Sequence, residues 1–352
     1  MDEPKYISSI LIIYTGGTIG MIENSTTGVL EAFSLRSLLV SVPELKRFGY
    51  EISTMQFDPP IDSSEMEPLH WSRLTKMIAD NYEFYDGFVV LHGTDTMSFT
   101  ASALSFMLED LCKPVILTGS QLPIGKLRTD GRENLITSIE IAAAKKNHKA
   151  LVSEVCIFFE SHLMRGNRTS KVNADRFNAF RSFNYPVLAR AGVQIKYDAT
   201  KINSPGRILP LKPHYTLDQN VVVMKLFPGI SQQIVESILS IPSLKGVVIE
   251  TYGSGNAPGK EWFIEKIKAA VDRGLVVVNV TQCQIGRVQM KRYGSGHRLQ
   301  EIGVVSGYDI TTEAAITKLM YLFGCGYSVE IVIEKMKMSI AGEITTDFSY
   351  DD

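Results

Sequence analysis

Short apolar runs that end in turns of glycine and hydroxyl residues constrain this chain more than any other feature. The first run, residues 10–13, holds three isoleucines and one leucine, which is typical of a strand buried on both faces. It leads into Thr15-Gly16-Gly17-Thr18. Adjacent glycines leave backbone N–H groups uncrowded, so the Thr18 hydroxyl lies beside donors that suit a developing oxyanion. The stretch fits a nucleophile at Thr18 and, equally, a plain strand with a polar turn.

The same arrangement recurs twice. Residues 88–91 are followed by a His-Gly-Thr-Asp turn, and residues 114–117 by a Thr-Gly-Ser-Gln turn. Strand–helix–strand alternation predicts a parallel sheet, in which ligands bind outside the carboxyl ends of the strands. The strand ends are therefore predicted to bring together Thr18, Thr94, Asp95 and Ser120.

Composition narrows the class of protein. The 352 residues suggest two domains, and 45% hydrophobic residues are typical of a full core. A formal net charge of −2 without a basic tract gives no indication of a nucleic-acid partner. No apolar run approaches the roughly 18–20 residues of a membrane span, and no secretory leader is visible. Four scattered cysteines lack metal-ligand spacing, so we expect no metal and a cytoplasmic protein with reduced thiols.

The patterns divide the chain into three parts. Residues 1–192 are predicted to form an α/β domain, and turn residues between 193 and 220 predict a linker. Strand–helix alternation resumes over residues 221–352 and predicts a second, smaller α/β domain.

Three segments near the predicted crevice allow more than one interpretation. Ser63 or Ser64 is suited to cap a predicted helix that ends near residue 81, and also to bind a small carboxylate. The polar segment 23–30 is either a mobile flap or an ordinary connection before a predicted helix over residues 34–42. The basic segment 164–175 is either a solvated loop or the source of a lysine that acts on a threonine hydroxyl.

Competing motifs are absent or weak. The turn after residue 14 lacks the G-x-G-x-x-G spacing of a dinucleotide site and the Gly-Lys-Ser/Thr of a P-loop. No G-x-S-x-G elbow occurs, which disfavours a serine hydrolase. His92 beside Thr94 and Asp95 suggests a relay, but a lone histidine at a strand end is more often structural. A lysine–threonine pair is therefore the better candidate.

Two motifs together resemble the signatures of bacterial-type L-asparaginases: Tyr14-Thr15-Gly16-Gly17-Thr18-Ile19-Gly20 and Leu91-His92-Gly93-Thr94-Asp95-Thr96. Further stretches are similar to the cytoplasmic type I branch: Asp62-Ser63-Ser64, Leu117-Thr118-Gly119-Ser120-Gln121, Arg165-Gly166-Asn167-Arg168-Thr169-Ser170-Lys171 and Tyr252-Gly253-Ser254-Gly255-Asn256-Ala257-Pro258. The resemblance covers essentially the whole chain. It implies a two-domain α/β fold with a mainly parallel sheet in the larger N-terminal domain and a smaller flavodoxin-like C-terminal domain.

The resemblance implies hydrolysis of L-asparagine to L-aspartate and ammonia without a cofactor, with minor glutaminase activity. Thr18 matches the nucleophile that forms an acyl-enzyme ester. Thr94, Asp95 and Lys171 match a second cluster in which the lysine polarises the threonine. Asp95 also matches the carboxylate that holds the substrate's α-ammonium; buried and unpaired, it would disfavour analogues that lack this group.

Further matches concern substrate binding and assembly. The residues that match the substrate-binding positions, besides Thr94 and Asp95, are Ser63, Ser64, Glu65, Ser120 and Asn256. Asn256 matches a residue that an adjacent subunit brings to the site. The resemblance thus implies a homodimer or homotetramer with sites near subunit interfaces, and no membrane partner.

Two positions depart from the family pattern. Val29 stands where members commonly have a flap tyrosine, so activation is expected to rest more on the lysine. Glu250 stands where some type I enzymes have an arginine that serves an allosteric asparagine site together with residues matching Thr281, Gln282 and Cys283. An anion there repels a carboxylate, so we expect allosteric activation to be weakened or absent.

Two alternatives remain. One is the amidase subunit of the archaeal-type tRNA-dependent amidotransferase, which carries an extra N-terminal domain before the glycine turn that starts here at Thr15. The other is a non-catalytic sensor of asparagine or aspartate. A sensor could lose Thr18, Thr94 or Lys171, and all three are present.

Overall fold

The computed structural model describes residues 8–23, 30–32, 42–203, 209–292 and 294–345. Two compact units divide the chain, Met1–Tyr215 and Thr216–Asp352. Most of the proposed flap, with Val29, and residues 34–41 of the predicted helix lie outside the described residues. No helix in the described ranges is long and apolar enough to cross a bilayer.

The first unit alternates strands with three described helices. Its strands are β1 (Ser9–Tyr14), β2 (Met21–Glu23), β3 (Leu30–Ala32), β4 (Glu51–Gln56), β5 (Gly87–Leu91), β6 (Leu108–Glu109), β7 (Val115–Thr118), β8 (Lys145–Lys146), β9 (Lys149–Ala150), β10 (Val155–Phe159), β11 (His162–Arg165), β12 (Ser170–Lys171), β13 (Phe180–Arg181), β14 (Ala189–Arg190), β15 (Lys196–Tyr197) and β16 (Lys212–Pro213). Its helices are α1 (Pro68–Asp80), α2 (Met97–Met107) and α3 (Gly131–Ala143).

An eight-stranded sheet organises this unit in the order β15-β14-β11-β10-β7-β5-β1-β4. Strands β4, β1, β5, β7 and β10 are parallel, whereas β11, β14 and β15 add antiparallel pairs. The expected mainly parallel sheet is confirmed. Tyr14 pairs with Leu91, and Leu91 pairs with Thr118, so the carboxyl ends of three central strands lie at one level.

Strand β1 is buried on both faces, as its composition predicts. Ile10 and Ile12 join one apolar cluster and Leu11 and Ile13 the other, and all four side chains are 0% exposed. Burying each such side chain contributes about 1.5–3 kcal/mol. The turn at Thr18 therefore grows from a firmly packed strand.

The prediction that Ser63 or Ser64 caps helix α1 is wrong. Residues Ser63–Glu65 form their own 3-10 turn, and α1 begins at Pro68 with Glu67 as its N-cap. The reason is that Glu67 has extended backbone angles and Pro68 is suited to the first helical position. The two serine hydroxyls are thus not used in capping α1.

The second unit is a smaller α/β layer. Its strands are β17 (Val221–Lys225), β18 (Gly246–Thr251), β19 (Val276–Thr281) and β20 (Val305–Ser306); its described helices are α4 (Gln232–Leu239), α5 (Glu261–Asp272), α6 (Gly294–Glu301), α7 (Thr312–Gly324) and α8 (Val329–Met336). All three strand pairs are parallel, which confirms an α/β unit. The strands lie in chain order, which differs from the 2-1-3-4-5 order of flavodoxin.

The predicted linker is partly integrated into the first unit. Strand β15 extends the large sheet, and β16 pairs with β6. The division between the units falls within the segment 193–220, at Tyr215, although residues 204–208 lie outside the described ranges.

Candidate active site

The turn after β1 packs backbone against backbone. Gly16 and Gly17 both have positive φ angles, of 137° and 93°. A Cβ at Gly16 would lie 1.9 Å from the carbonyl oxygen of Ile61, and one at Gly17 would lie 2.4 Å from the Cα of Gly93. Only glycine fits here. Thr18 follows directly and begins the 3-10 turn Thr18–Gly20.

Three polar side chains meet at the end of β5. Lys171 Nζ donates to Thr94 Oγ1 at 2.9 Å and to Asp95 Oδ1 at 2.6 Å. Thr94 is 8% exposed and the Lys171 side chain 17%. Gly93, which precedes Thr94, contacts Gly17, which precedes Thr18. The structure thus places the two turns that carry the predicted hydroxyls side by side.

Asp95 is the exposed member of this cluster. Its side chain is 65% exposed and forms an ion pair with Lys171. The pair exists because the hairpin that carries Lys171 folds back over the end of β5, which strand periodicity does not reveal.

Lys171 follows a buried stretch, so the interpretation of the segment 164–175 as a solvated loop is wrong for residues 164–169, whereas residues 174 and 175 are exposed. Asn167 and Thr169 are 0% exposed, and β12 pairs with β13. The preceding Arg165 forms a buried ion pair with Glu154, with Arg165 Nε 2.5 Å from Glu154 Oε2. The Arg165 carbonyl also accepts the Thr169 hydroxyl. This packing fixes the base of the lysine-bearing hairpin.

The predicted carboxylate-binding turn lies against β5. Ser63 is 4% exposed, and its main-chain oxygen accepts a hydrogen bond from Thr96 Oγ1 at 2.7 Å. A Cβ at Gly93 would lie 2.4 Å from Ser63 Oγ. Ser64 is exposed and donates to Asp62 Oδ1, and Glu65 is exposed. Ser63 is therefore the member of this turn that contacts the strand end.

Ser120 lies in the same region, and its neighbour Gln121 is a contact that the sequence did not single out. Ser120 is 1% exposed and donates to the Leu122 carbonyl. Gln121 Oε1 accepts from Thr94 Oγ1 at 3.4 Å. Its position directly after Ser120, in a strand-end turn, was the one signal that could have identified it.

His92 is a structural residue. Its ring is 0% exposed, with Nδ1 2.7 Å from the Gly93 oxygen and Nε2 2.9 Å from Thr100 Oγ1. Burial lowers the pKa of His92 to about 4. It is neutral at neutral pH, and both ring nitrogens are occupied, in keeping with the structural interpretation.

The remaining predicted residues belong to the second unit and are described within it. Asn256 lies in the turn after β18, where its Oδ1 accepts from Ser295 Oγ at 3.0 Å. Glu250 Oε1 accepts from Thr312 Oγ1 at 2.7 Å, and its Oε2 lies 3.1 Å from Lys225 Nζ.

The other three residues of the predicted allosteric site lie at and after the end of β19, which pairs with the strand that carries Glu250. Gln282 Nε2 donates to the Glu250 carbonyl, and Cys283 N donates to Thr281 Oγ1. The carboxylate of Glu250 is thus partly compensated by a lysine, and the prediction about allostery stays a prediction.

Comparison with known families decides the relationship. A model of the asparaginase N-terminal domain matches residues 9–203, and a model of the glutaminase/asparaginase C-terminal domain matches residues 220–336. The chain belongs to the asparaginase family. Among asparaginases, it is 42% identical to L-asparaginase 1 of Escherichia coli K12 over 348 residues, 96% of this chain and 98% of that protein.

Two further similarities extend this finding. The chain resembles the crystal structure of L-asparaginase I from Vibrio cholerae with a TM-score of 0.88 and 42% identity, covering 97% of this chain and 100% of that one. It is also 41% identical to the human 60 kDa lysophospholipase over 360 residues, 96% of this chain but 61% of that protein. The resemblance to the type I asparaginase branch and the two-domain α/β fold are confirmed.

The described residues contain no group of three or more His, Cys, Asp or Glu side chains arranged to hold a metal ion. What the cluster does contain is two hydroxyl-bearing turns in contact, the amine of Lys171 beside one of them, and the exposed carboxylate of Asp95.

Proposed function

We propose that this chain is an L-asparaginase, which hydrolyses L-asparagine to L-aspartate and ammonia. The observation that carries the proposal is the hydrogen bond of 2.9 Å between Lys171 Nζ and Thr94 Oγ1, next to the contact between the residues that precede Thr18 and Thr94. The similarity to E. coli L-asparaginase 1 along 96% of the chain supports it.

The first step uses Thr18. Its Oγ1 attacks the side-chain amide carbon, the C–N bond breaks, and ammonia leaves with the proton that the hydroxyl gives up. An ester joins the acyl group to Thr18. Splitting amide hydrolysis in this way replaces one difficult step by two easier ones.

The second step uses Thr94 and Lys171. Lys171 Nζ donates to Thr94 Oγ1 and so stabilises negative charge that develops there, and its bond to Asp95 Oδ1 holds the lysine in place. Thr94 therefore accepts a proton from the water that attacks the ester carbon while its own hydroxyl proton passes to the departing Oγ1 of Thr18, so that Thr94 ends the step as the hydroxyl it began as. Aspartate is released and the hydroxyl of Thr18 is restored.

Selectivity comes from the charged ends of the substrate. Asp95 binds Lys171 through Oδ1, which leaves Oδ2 to accept the α-ammonium. Ser63 and Ser64 provide hydroxyls for the α-carboxylate, with Glu65 beside them, and Ser120 lines the crevice. A carboxylate that accepts from the substrate's ammonium, together with hydroxyls that donate to its carboxylate, suits a free amino acid.

Replacement of Thr18 tests the nucleophile. We expect Thr18→Ala to lower kcat for asparagine by about 10³-fold or more with an unchanged fold, and Thr18→Ser to retain measurable activity. Ammonia release is the measurement, with circular dichroism as the control for folding. An active Thr18→Ala variant would refute the assignment.

Replacement of Lys171 tests the second cluster. Lys171→Met should lower kcat by about 10²-fold or more, because it removes the donor to Thr94. Lys196→Met is the matched control, since Lys196 is exposed on β15 of the same unit. Equal rates in the two variants would exclude a role for Lys171.

The same assay separates the alternatives. Ammonia release from asparagine by the purified chain, without tRNA, favours the asparaginase over the amidotransferase subunit. Binding of asparagine without ammonia release would indicate a sensor. Parallel measurements with glutamine test the expected minor glutaminase activity.

Assembly and regulation are further parts of this proposal. We propose a cytoplasmic homodimer or homotetramer in which Asn256 of one subunit completes the site of its neighbour. Co-expression of Thr18→Ala with Asn256→Ala should restore activity that neither variant has alone, because a mixed dimer contains one intact site. Rates that rise hyperbolically with asparagine would support the loss of allosteric activation at Glu250; sigmoidal rates would contradict it.

A further inference from the structure

The turn formed by residues 119–122 follows β7 and carries Gln121. Gln121 Nε2 donates to the Arg176 carbonyl at 3.0 Å. A carbonyl only accepts, so the amide nitrogen must face Arg176, and Oε1 must face Thr94. The Thr94 hydroxyl hydrogen then points at Gln121, and its oxygen accepts from Lys171.

The start of helix α3 clamps this turn. Both carboxylate oxygens of Asp130 accept the Gln121 N–H, at 3.1 and 3.0 Å, and Oδ1 accepts the Leu122 N–H at 3.2 Å. Asn134 Nδ2 donates to the Gly119 carbonyl at 3.0 Å and to Asp130 Oδ2 at 3.3 Å. Two residues of one helix turn therefore hold the whole strand-end turn.

Asp130 does not use its side chain to cap helix α3. It is the N-cap residue of α3, yet its side chain makes no capping bond. Thr129 Oγ1 instead accepts the Gly131 N–H at 3.0 Å. Burial raises the pKa of Asp130, and no lysine or arginine of the described chain pairs with it. A helix cap alone does not explain a partly desolvated carboxylate here.

We propose that Asp130 is a positioning residue that acts through Gln121 to orient the hydroxyl of Thr94 for proton transfer. This inference rests on the proposed function. The bond between Thr94 and Gln121, at 3.4 Å, is longer than an ordinary O–H···O hydrogen bond, so its strength depends closely on where the turn holds Gln121. Misplacement by about 1 Å near a reacting group can cost about 10²-fold in rate.

The test combines Asp130→Asn, Gln121→Ala and the double variant. We expect Asp130→Asn and Gln121→Ala each to lower kcat for asparagine at least about tenfold, with KM within about threefold of the parent chain. If Asp130 acts through Gln121, the double variant is no slower than the slower single variant. Glu133→Gln is the matched control, because Glu133 lies in the same helix turn and its side chain accepts from Thr137 of the same helix; this variant should match the parent chain.

Other outcomes overturn the inference. They are a kcat within twofold of the parent in Asp130→Asn, an effect confined to KM, or single-variant losses that multiply in the double variant. If Asp130→Asn does not fold, Asn134→Ala carries the same test, since it removes the bond to Gly119. A parent chain that releases no ammonia overturns the proposed function and this inference together, whereas an active parent with an unaffected Asp130→Asn overturns this inference alone.

Discussion

Gly93→Ala tests whether the Ser63 turn binds the α-carboxylate. The added Cβ would lie 2.4 Å from Ser63 Oγ and 2.7 Å from Ser63 Cβ, whereas ordinary contacts begin at 3.4 Å. The φ angle of Gly93 is not positive, so its backbone is not strained by alanine. Ser63 must therefore move away by roughly 0.7 to 1.0 Å. The hydrogen bond from Thr96 to the Ser63 oxygen weakens with it, at a cost of about 1 kcal/mol.

The expected kinetic effect is larger than the effect on stability. A displacement near 1 Å is expected to lower kcat/KM for asparagine by about 10- to 100-fold, mainly through KM, which corresponds to about 1.4–2.8 kcal/mol. Gly125→Ala is the matched control, because a Cβ at Gly125 meets nothing within 4 Å. The measurement is ammonia release from asparagine and from 3-aminopropanamide, which lacks the α-carboxylate.

The analogue makes the reasoning refutable. If Ser63 serves the α-carboxylate, Gly93→Ala and the parent chain should have the same kcat/KM for 3-aminopropanamide. A KM for asparagine within twofold of the parent, or an equal loss on both substrates, would show that the displaced turn does not bind that group.

Three further predictions concern stability. The pKa of His92 is lowered from 6.5 to about 4, so the stability that a neutral His92 gives above pH 6.5 is lost as the pH falls toward 4. Between pH 8 and pH 5, the free energy of unfolding measured in urea should fall by about 2 kcal/mol more in the parent than in His92→Gln. Equal pH dependence in the two proteins would contradict this. The buried Tyr14 hydroxyl has no hydrogen-bond partner among the described residues; Tyr14→Phe should leave the thermal midpoint unchanged or higher, and a clear decrease would reveal a partner. Lys318 and Glu343 form an ion pair with both side chains 0% exposed; Lys318→Met should lower the free energy of unfolding by about 3–5 kcal/mol, and a loss below about 1 kcal/mol would show that Glu343 is neutralised in another way.

The sequence predicted the features that depend on local composition. The isoleucine-rich β1 strand and the turns after β5 and β7 follow from burial on both faces and from glycine, and parallel pairing then aligns the strand ends. The convergence of the turns carrying Thr18 and Thr94 was predicted for this reason.

Features that depend on distant parts of the chain were not predicted from local pattern. The choice of Lys171 needs the pairing of β12 with β13, and only the family resemblance selected it. Asp130 has the residue type and position of an ordinary N-cap of α3, and only the folded chain shows that its side chain accepts from the Gln121 N–H instead. The ion pair of Asp95 depends on Lys171, which comes from a distant part of the chain. Each case is decided by tertiary packing, which propensity does not encode.

The direct contact between Gly17 and Gly93 limits how this pocket can be reshaped. Because neither residue has a side chain, the spacing of the two hydroxyl-bearing turns is set by the two parallel main chains and by no rotamer. Substituting nearby side chains cannot tune that spacing. Variants intended for bulkier amides must therefore change the Ser63 turn or the Lys171 hairpin, because a Cβ at Gly17 would lie 2.4 Å from the Cα of Gly93.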